Sequence, residues 1–194
     1  MSDTRHLFIT AAAKAFAEKG FYGASIASIA AESPFTKQAL LHHFGNKEKL
    51  YAEVLKGISD RLMANLQDIQ RDYPDTRQRL EQTFLSFYRQ AVGNRDEMAL
   101  LMRELLDNKR RAESAQAWYL KPFLDELTQM VMTVLPAYSR ARAFTLAYQM
   151  LGAIHYFAVS EPTLVQIFGR EEYEEVLRGY EDELRDLIRA RLGD

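Results

Sequence analysis

The chain has no cysteine among its 194 residues, so neither disulfides nor thiolate metal sites can hold it together. No apolar run reaches the roughly 18 residues needed to cross a bilayer. The opening Met1-Ser2-Asp3-Thr4-Arg5-His6 lacks a basic flank leading into a long apolar stretch, so it does not read as a secretory leader. Together these absences give the expectation of a cytoplasmic protein with no membrane partner. Strand signals are nearly missing too: no period-2 alternation persists, and no Asn-Gly or Asp-Gly turn joins two β-branched runs.

The usual catalytic signatures are also lacking. No glycine-rich phosphate loop is present. A carboxylate di-iron bundle needs Glu-x-x-His pairs, and none of the four histidines has Glu three residues earlier. Gly23-Ala24-Ser25-Ile26-Ala27 lacks the second glycine and the preceding strand of a nucleophile elbow. His42 and His43 have only His6 and His155 as fellow histidines, at no helical ligand spacing, so no metal and no cofactor are expected. The reading is of a protein that is not an enzyme.

What remains is ordinary globular material, 47% hydrophobic and 27% charged. It is long enough for one large domain, or for a small head on a larger body, with a core that needs no staples. The formal net charge is −2 and unevenly spread. Residues 1–50 carry six Lys/Arg against four acids, and the remainder nineteen against twenty-three. A mildly basic head on an acidic body has the sign that DNA binding requires, although charge by itself is too weak to establish it.

Helical periodicity runs throughout. Thr4 is the expected cap of a first helix whose Leu7, Phe8, Ala11, Ala12, Ala15 and Phe16 form one apolar stripe, ended by Lys19-Gly20. Ser25 caps a short helix over 26–32 that buries Ile26, Ile29 and Ala30. Pro34 breaks the chain. Thr36 caps a second short helix over 37–43 that buries Leu40 and Phe44, Gly45 closes it, and Asn46 caps the next. A long helix then runs to about Tyr73. Thr76 opens another that ends at Gly93. Helices are expected near 95–108 and 114–135, the latter kinked or restarted at Pro122, and the Arg103–Arg111 charge run reads as a solvated face or helix junction. Residues 139–159 are apolar nearly all round, and Glu161-Pro162 stops them. A final helix over 171–192 carries Tyr173, Val176, Leu177, Tyr180, Leu184, Leu187 and Ile188. The fold class expected is all-α.

Two short helices joined by Ser33-Pro34-Phe35-Thr36, with a third in front, have the physical form of a helix-turn-helix, whose second helix enters the major groove N-terminus first. On that helix Lys37 suits a phosphate or guanine edge, Gln38 suits adenine, and Ala39 is small enough for close approach. Lys47 adds a cation to backbone N–H groups already suited to phosphate. The run Ala12-Ala13-Lys14-Ala15-Phe16-Ala17-Glu18-Lys19-Gly20-Phe21-Tyr22-Gly23-Ala24-Ser25, then Ile29-Ala30, then Leu40-Leu41-His42-His43-Phe44-Gly45-Asn46-Lys47-Glu48-Lys49-Leu50 strongly resembles the DNA-binding head of the tetracycline-repressor (TetR) family. The resemblance covers roughly residues 5–55. It differs in two places: Ser33-Pro34-Phe35-Thr36 stands where the family usually has Ala-Gly-Val-Ser, which predicts a turn without a left-handed residue. Leu41 stands where the family usually has a phosphate-touching tyrosine, leaving His42 or His43 as substitutes.

The resemblance implies a dimeric regulator, with a DNA-binding head at 1–50 and an effector-binding and dimerisation domain at 51–194. It implies a double-stranded operator contacted by Ser25, Thr36, Lys37, Gln38, Ala39, Leu41, His42, His43 and Lys47. It also implies a small-molecule effector that alters the spacing of the two recognition helices through the long fourth helix, with Gly57 as a bending point. The homodimer is expected to form through helices near 139–160 and 171–192, whose apolar surfaces would otherwise be too exposed. The abundance of Met and aromatic residues between 84 and 157 suits an apolar cavity with a few polar handles. Phe84, Tyr88, Met102, Trp118, Met130, Tyr148 and His155 are its candidate lining, with plain core packing the competing reading for each. The rivals to the whole scheme are a helical small-molecule-binding protein or enzyme whose head no longer binds DNA, and a purely structural or partner-binding helical module.

Overall fold

A computed structural model describes the backbone of residues 2–111 and 119–193, and the side chains of 4–106 and 119–193. Its described residues form ten helices and no strand, as the all-α expectation requires. They are α1 (Ser2–Gly23), α2 (Ile26–Ala31), α3 (Lys37–Phe44), α4 (Lys47–Asp72), α5 (Thr76–Gly93), α6 (Arg95–Arg111), α7 (Lys121–Val134), α8 (Arg140–Val159), α9 (Glu161–Phe168) and α10 (Arg170–Leu192).

Side-chain caps set most of the boundaries. Ser25, Thr36, Asp75 and Ser139 each accept a backbone N–H from the first turn of the helix that follows, and Asn46 does the same for α4. Asp75 therefore takes the capping role, and Thr76 is the first helical residue. Pro122 and Pro162 both sit in first turns, where the missing N–H has no intrahelical partner to lose. Proline at 162 thus opens a helix rather than ending one: α8 stops at Ser160, and α9 is an element the sequence pattern did not predict. The first helix starts two residues before Thr4. At Gly20 its path bends through φ 69°, ψ 172°, a region open essentially to glycine alone, before one further turn to Gly23.

The chain divides into two compact units, Met1–Arg61 with Asp96–Tyr119, and Leu62–Arg95 with Leu120–Asp194. The border differs from the division at residue 50 because side chains distant in sequence tie α6 to the head. The Arg103 guanidinium donates to the Ala17 carbonyl at 2.7 Å and the Glu18 carbonyl at 3.0 Å, near the end of the regular part of α1. The buried Glu104 carboxylate accepts the Tyr51 hydroxyl of α4 at 2.8 Å. Arg103 is exposed, yet its guanidinium fastens α6 to α1 as a helix junction.

In the first unit Phe8, Phe16, Ile29, Leu40 and Leu50 are completely enclosed. In the second, α5 packs on α7, α8 and α10, α7 packs on α8, and α9 lies against α10. Leu80, Leu85, Leu127, Val131, Ile154 and Ile188 form its core. Helix α9 has no buried residue. No described helix is long and apolar enough to cross a membrane.

Candidate nucleic-acid interface

The link between α2 and α3 shows how the head does without a left-handed residue. No non-glycine residue described has positive φ, so Ser33-Pro34-Phe35-Thr36 turns with ordinary backbone angles. Burial holds it in place. The Phe35 ring lies 4.0 Å from Phe8, whose other neighbours are Phe44 edge-on at 6.0 Å and His43 at 5.1 Å. The Ser33 hydroxyl accepts the Phe35 N–H and donates to the Ala30 carbonyl at 3.2 Å, and Thr36 then accepts the Ala39 N–H at 3.1 Å to start α3.

Leu40 and Phe44 hold the inner side of α3. At 3.6 residues per turn the opposite side presents Gln38 and His42, flanked by Lys37 with Leu41 and by Ala39 with His43. Lys37, Gln38, Leu41, His42 and His43 are exposed, and Ala39 is half-buried. His43 leans on Phe8 and lines a cleft with Arg5, Phe44, Gly45, Lys49, Ala52 and Glu53, at the flank of the outer face. Gly45 closes α3 at φ 79°, donating its N–H to the Leu41 carbonyl. Ser25 is exposed and engaged in reciprocal capping with Ser28, each hydroxyl accepting the other's backbone N–H at 3.0 Å. Electrostatically the surface is one-sided: residues 33–47 include no carboxylate. Glu32, just before this stretch, is paired with Lys19, and the hydrogen bond pushes the lysine pKa up.

Lys47 is placed differently from the phosphate contact expected of it. Its half-buried ammonium donates to the carbonyls of Phe21 at 2.9 Å and Ala24 at 3.1 Å, and lies 4.3 Å from the Phe21 ring centre. It locks the chain after the Gly20 bend onto the start of α4. Lys47→Ala is therefore expected to destabilise the first unit by about 1–3 kcal/mol, the cost of removing a charged donor from two partly buried acceptors. A urea titration reads this directly; a solvated phosphate-binding lysine would leave the midpoint unchanged.

The candidate effector residues are dispersed. Met102 belongs to the first unit and is half-buried; Trp118 lies outside the described residues. Phe84, Tyr88, Met130 and His155 are buried in the second unit. Tyr88 stacks on Tyr180 at 5.0 Å and donates its hydroxyl to the Leu177 carbonyl at 3.3 Å; burial pushes its pKa up to about 12. His155 meets the Phe87 ring near edge-on at 5.9 Å. Tyr148 is exposed on α8 and stacks on Phe144 at 5.4 Å. Phe157 and Tyr173 were not among the candidate lining residues. Phe157 stacks on Tyr180 at 3.9 Å and on Tyr173 at 6.1 Å, and together with Tyr88 they form an aromatic column spanning α5, α8 and α10. Only the regular recurrence of aromatics on α10 hinted at it. No group of three or more His, Asp or Glu side chains suited to a metal ion occurs among the described residues.

Residues 8–54 match the family model of bacterial regulatory proteins of the tetR family, a span that takes in most of α1, the capped turn and the start of α4. Over those residues the chain carries the pattern of that family. Curated relatives of the chain include the HTH-type transcriptional repressor KstR2 of Rhodococcus jostii, 27% identical over 136 residues. That match covers 70% of this chain and 65% of the repressor. The HTH-type transcriptional activator FasR of Mycolicibacterium smegmatis is 30% identical over 86 residues, covering 44% of this chain and 39% of FasR. The matched stretches thus span less than two thirds of either relative. The fold is shared with the ketosteroid transcriptional regulator KstR2 of Mycobacterium tuberculosis, with a TM-score of 0.68 at 18% identity, over 94% of this chain and 93% of that one.

Proposed function

We propose that this protein is a ligand-responsive DNA-binding transcriptional regulator, a repressor released from its operator by a small, largely apolar effector. The observation that carries this reading is the outer face of α3: Lys37, Gln38, Leu41 and His42 exposed on a capped, rigidly seated helix, in a stretch without a carboxylate. A helix that offers donors and no acid toward an acceptor-rich groove fits DNA and suits few other partners. The relative KstR2, an HTH-type transcriptional repressor, favours repression over activation. The protein acts as a homodimer, a role that the exposed apolar side chains of α8 and α10 support: Phe144, Tyr148, Tyr156, Val176 and Leu187. The aromatic and methionine-bearing interior of the second unit favours an apolar effector.

The deciding experiment measures binding of the full chain to the DNA upstream of its own gene, against a scrambled duplex, at 50 and 200 mM salt. Affinity should be sequence-selective and fall by about 10³-fold or more between the two salt concentrations, as expected for several phosphate contacts. Gln38→Ala should lose about tenfold on the natural sequence and almost nothing on the scrambled one, since a side chain that reads a base carries discrimination rather than bulk affinity. Equal binding to both duplexes would overturn the proposal.

A further inference from the structure

We infer that Leu41 reads a thymine: in each operator half-site its side chain packs on a thymine C5-methyl group in the major groove. This rests on the reading of α3 as the recognition helix.

Leu41 is 38% exposed, one turn after Lys37, on the flank of α3 that the buried Leu40 and Phe44 leave outward. Its neighbours fix what it meets when α3 enters a groove. Thr36 caps the N-terminus that leads into the DNA, Lys37 and Gln38 occupy the first turn, and the half-buried Ala39 lets the helix axis approach closely. His43, one of the two alternatives for the missing tyrosine contact, is turned against Phe8. Lys47 is committed to the carbonyls of Phe21 and Ala24. The Leu41 side chain has no polar atom to offer a phosphate, so only an apolar group in the groove rewards its burial.

The edges of the base pairs then decide its partner. The major groove displays acceptors at guanine and adenine N7, guanine O6 and thymine O4, and donors at cytosine N4 and adenine N6. Its one apolar group is the thymine methyl. A leucine pressed on any of the others strips water from a polar group and returns no hydrogen bond, which costs free energy. Pressed on the methyl, it removes apolar surface from water on both sides. Leu41 therefore adds to the outer face of α3 an apolar contact that selects a base.

The test uses a duplex selected by the full chain from a randomised pool. Each thymine is replaced in turn by deoxyuridine, which keeps base pairing, O4 and backbone charge and removes only the methyl. One thymine per half-site should lose about fourfold in affinity on replacement, the worth of one buried methyl-sized group. Leu41→Ala should bind the thymine duplex more weakly by a similar or larger factor, and bind the thymine and deoxyuridine duplexes equally. Leu41 is exposed, so matching thermal unfolding of the variant and parent confirms that only the contact has changed. If no duplex is selected, the regulator reading fails and this inference falls with it. If a duplex is selected but no replacement matters, or the sensitive thymine stays sensitive in Leu41→Ala, the regulator reading stands and the assignment of Leu41 is wrong.

Discussion

Phe8→Ala is expected to destabilise the first unit by about 3–5 kcal/mol, enough to abolish DNA binding at moderate temperature. Phe8 has no exposed surface and is ringed by Phe35, His43 and Phe44. It is the side chain on which both the turn and α3 rest. Truncation leaves a cavity beneath three rings, and Phe35 loses the partner that fixes a turn with no left-handed residue to define it. The neighbouring Leu7 is half exposed, so Leu7→Ala supplies the contrast, with a cost of about 0.5 kcal/mol or less. Chemical unfolding followed by circular dichroism checks both. The loss should fall on one transition where the two compact units unfold separately. A Phe8→Ala midpoint as close to the parent as that of Leu7→Ala would show that the turn is held by something other than this aromatic cluster.

The head was largely legible in the sequence because its structure is written in local signals. Ser25, Thr36 and Asn46 cap where expected, Gly45 takes the positive φ that ends α3, and Pro34 correctly forecasts a turn without one. Each is decided by residues within four positions, the range over which sequence pattern and backbone geometry are coupled. What escaped depends on contacts far apart along the chain. Lys47 reads as a free cation on a helix start until the Phe21 and Ala24 carbonyls, more than twenty residues away, are found beneath it. Arg103 reads as surface charge until it is seen to hold carbonyls some 85 residues earlier. Phe35 gives no hint that a ring can take the part of a glycine. Helix α9 was hidden because Glu-Pro is equally a stop and a start, and the choice turns on whether helical residues follow. The candidate effector set dispersed for another reason. Aromatic and methionine stripes mark burial, and burial alone does not say whether the space among them is filled by protein or left for a ligand.

Introducing two cations on α8, with Tyr148→Arg and Tyr156→Arg, is expected to yield a folded monomer whose operator affinity drops by about 100-fold or more. Phe144, Tyr148, Gly152 and Tyr156 follow one another at four-residue intervals, and all four are exposed, while Ala143, Ala147, Met150, Leu151, Ile154 and Ala158 face the core of their own unit. A helix apolar on both sides and covered on only one is left with a face for a partner. A Cβ added at Gly152 would meet nothing within 4 Å, so the stripe has a gap at its centre where a second helix can come close. Around a twofold axis the same patch meets itself, so each substitution is felt twice and four cations would face one another in a desolvated seam. The chain's own fold should hardly notice, because both tyrosines are solvated in the single chain. The loss of DNA affinity follows from geometry. In the proposed dimer, two copies of α3 held about 34–36 Å apart would engage successive grooves at a high effective concentration, whereas separate heads would bind independently. Light scattering fixes the mass, and a gel-shift titration with half-site and full-site duplexes fixes the affinity. The parent should prefer the full site strongly, whereas the double variant should bind both duplexes with nearly the same weak affinity. A variant that stays dimeric would move the interface away from the aromatic stripe of α8. A monomer that still prefers the full site would mean that pairing of the heads does not depend on this surface.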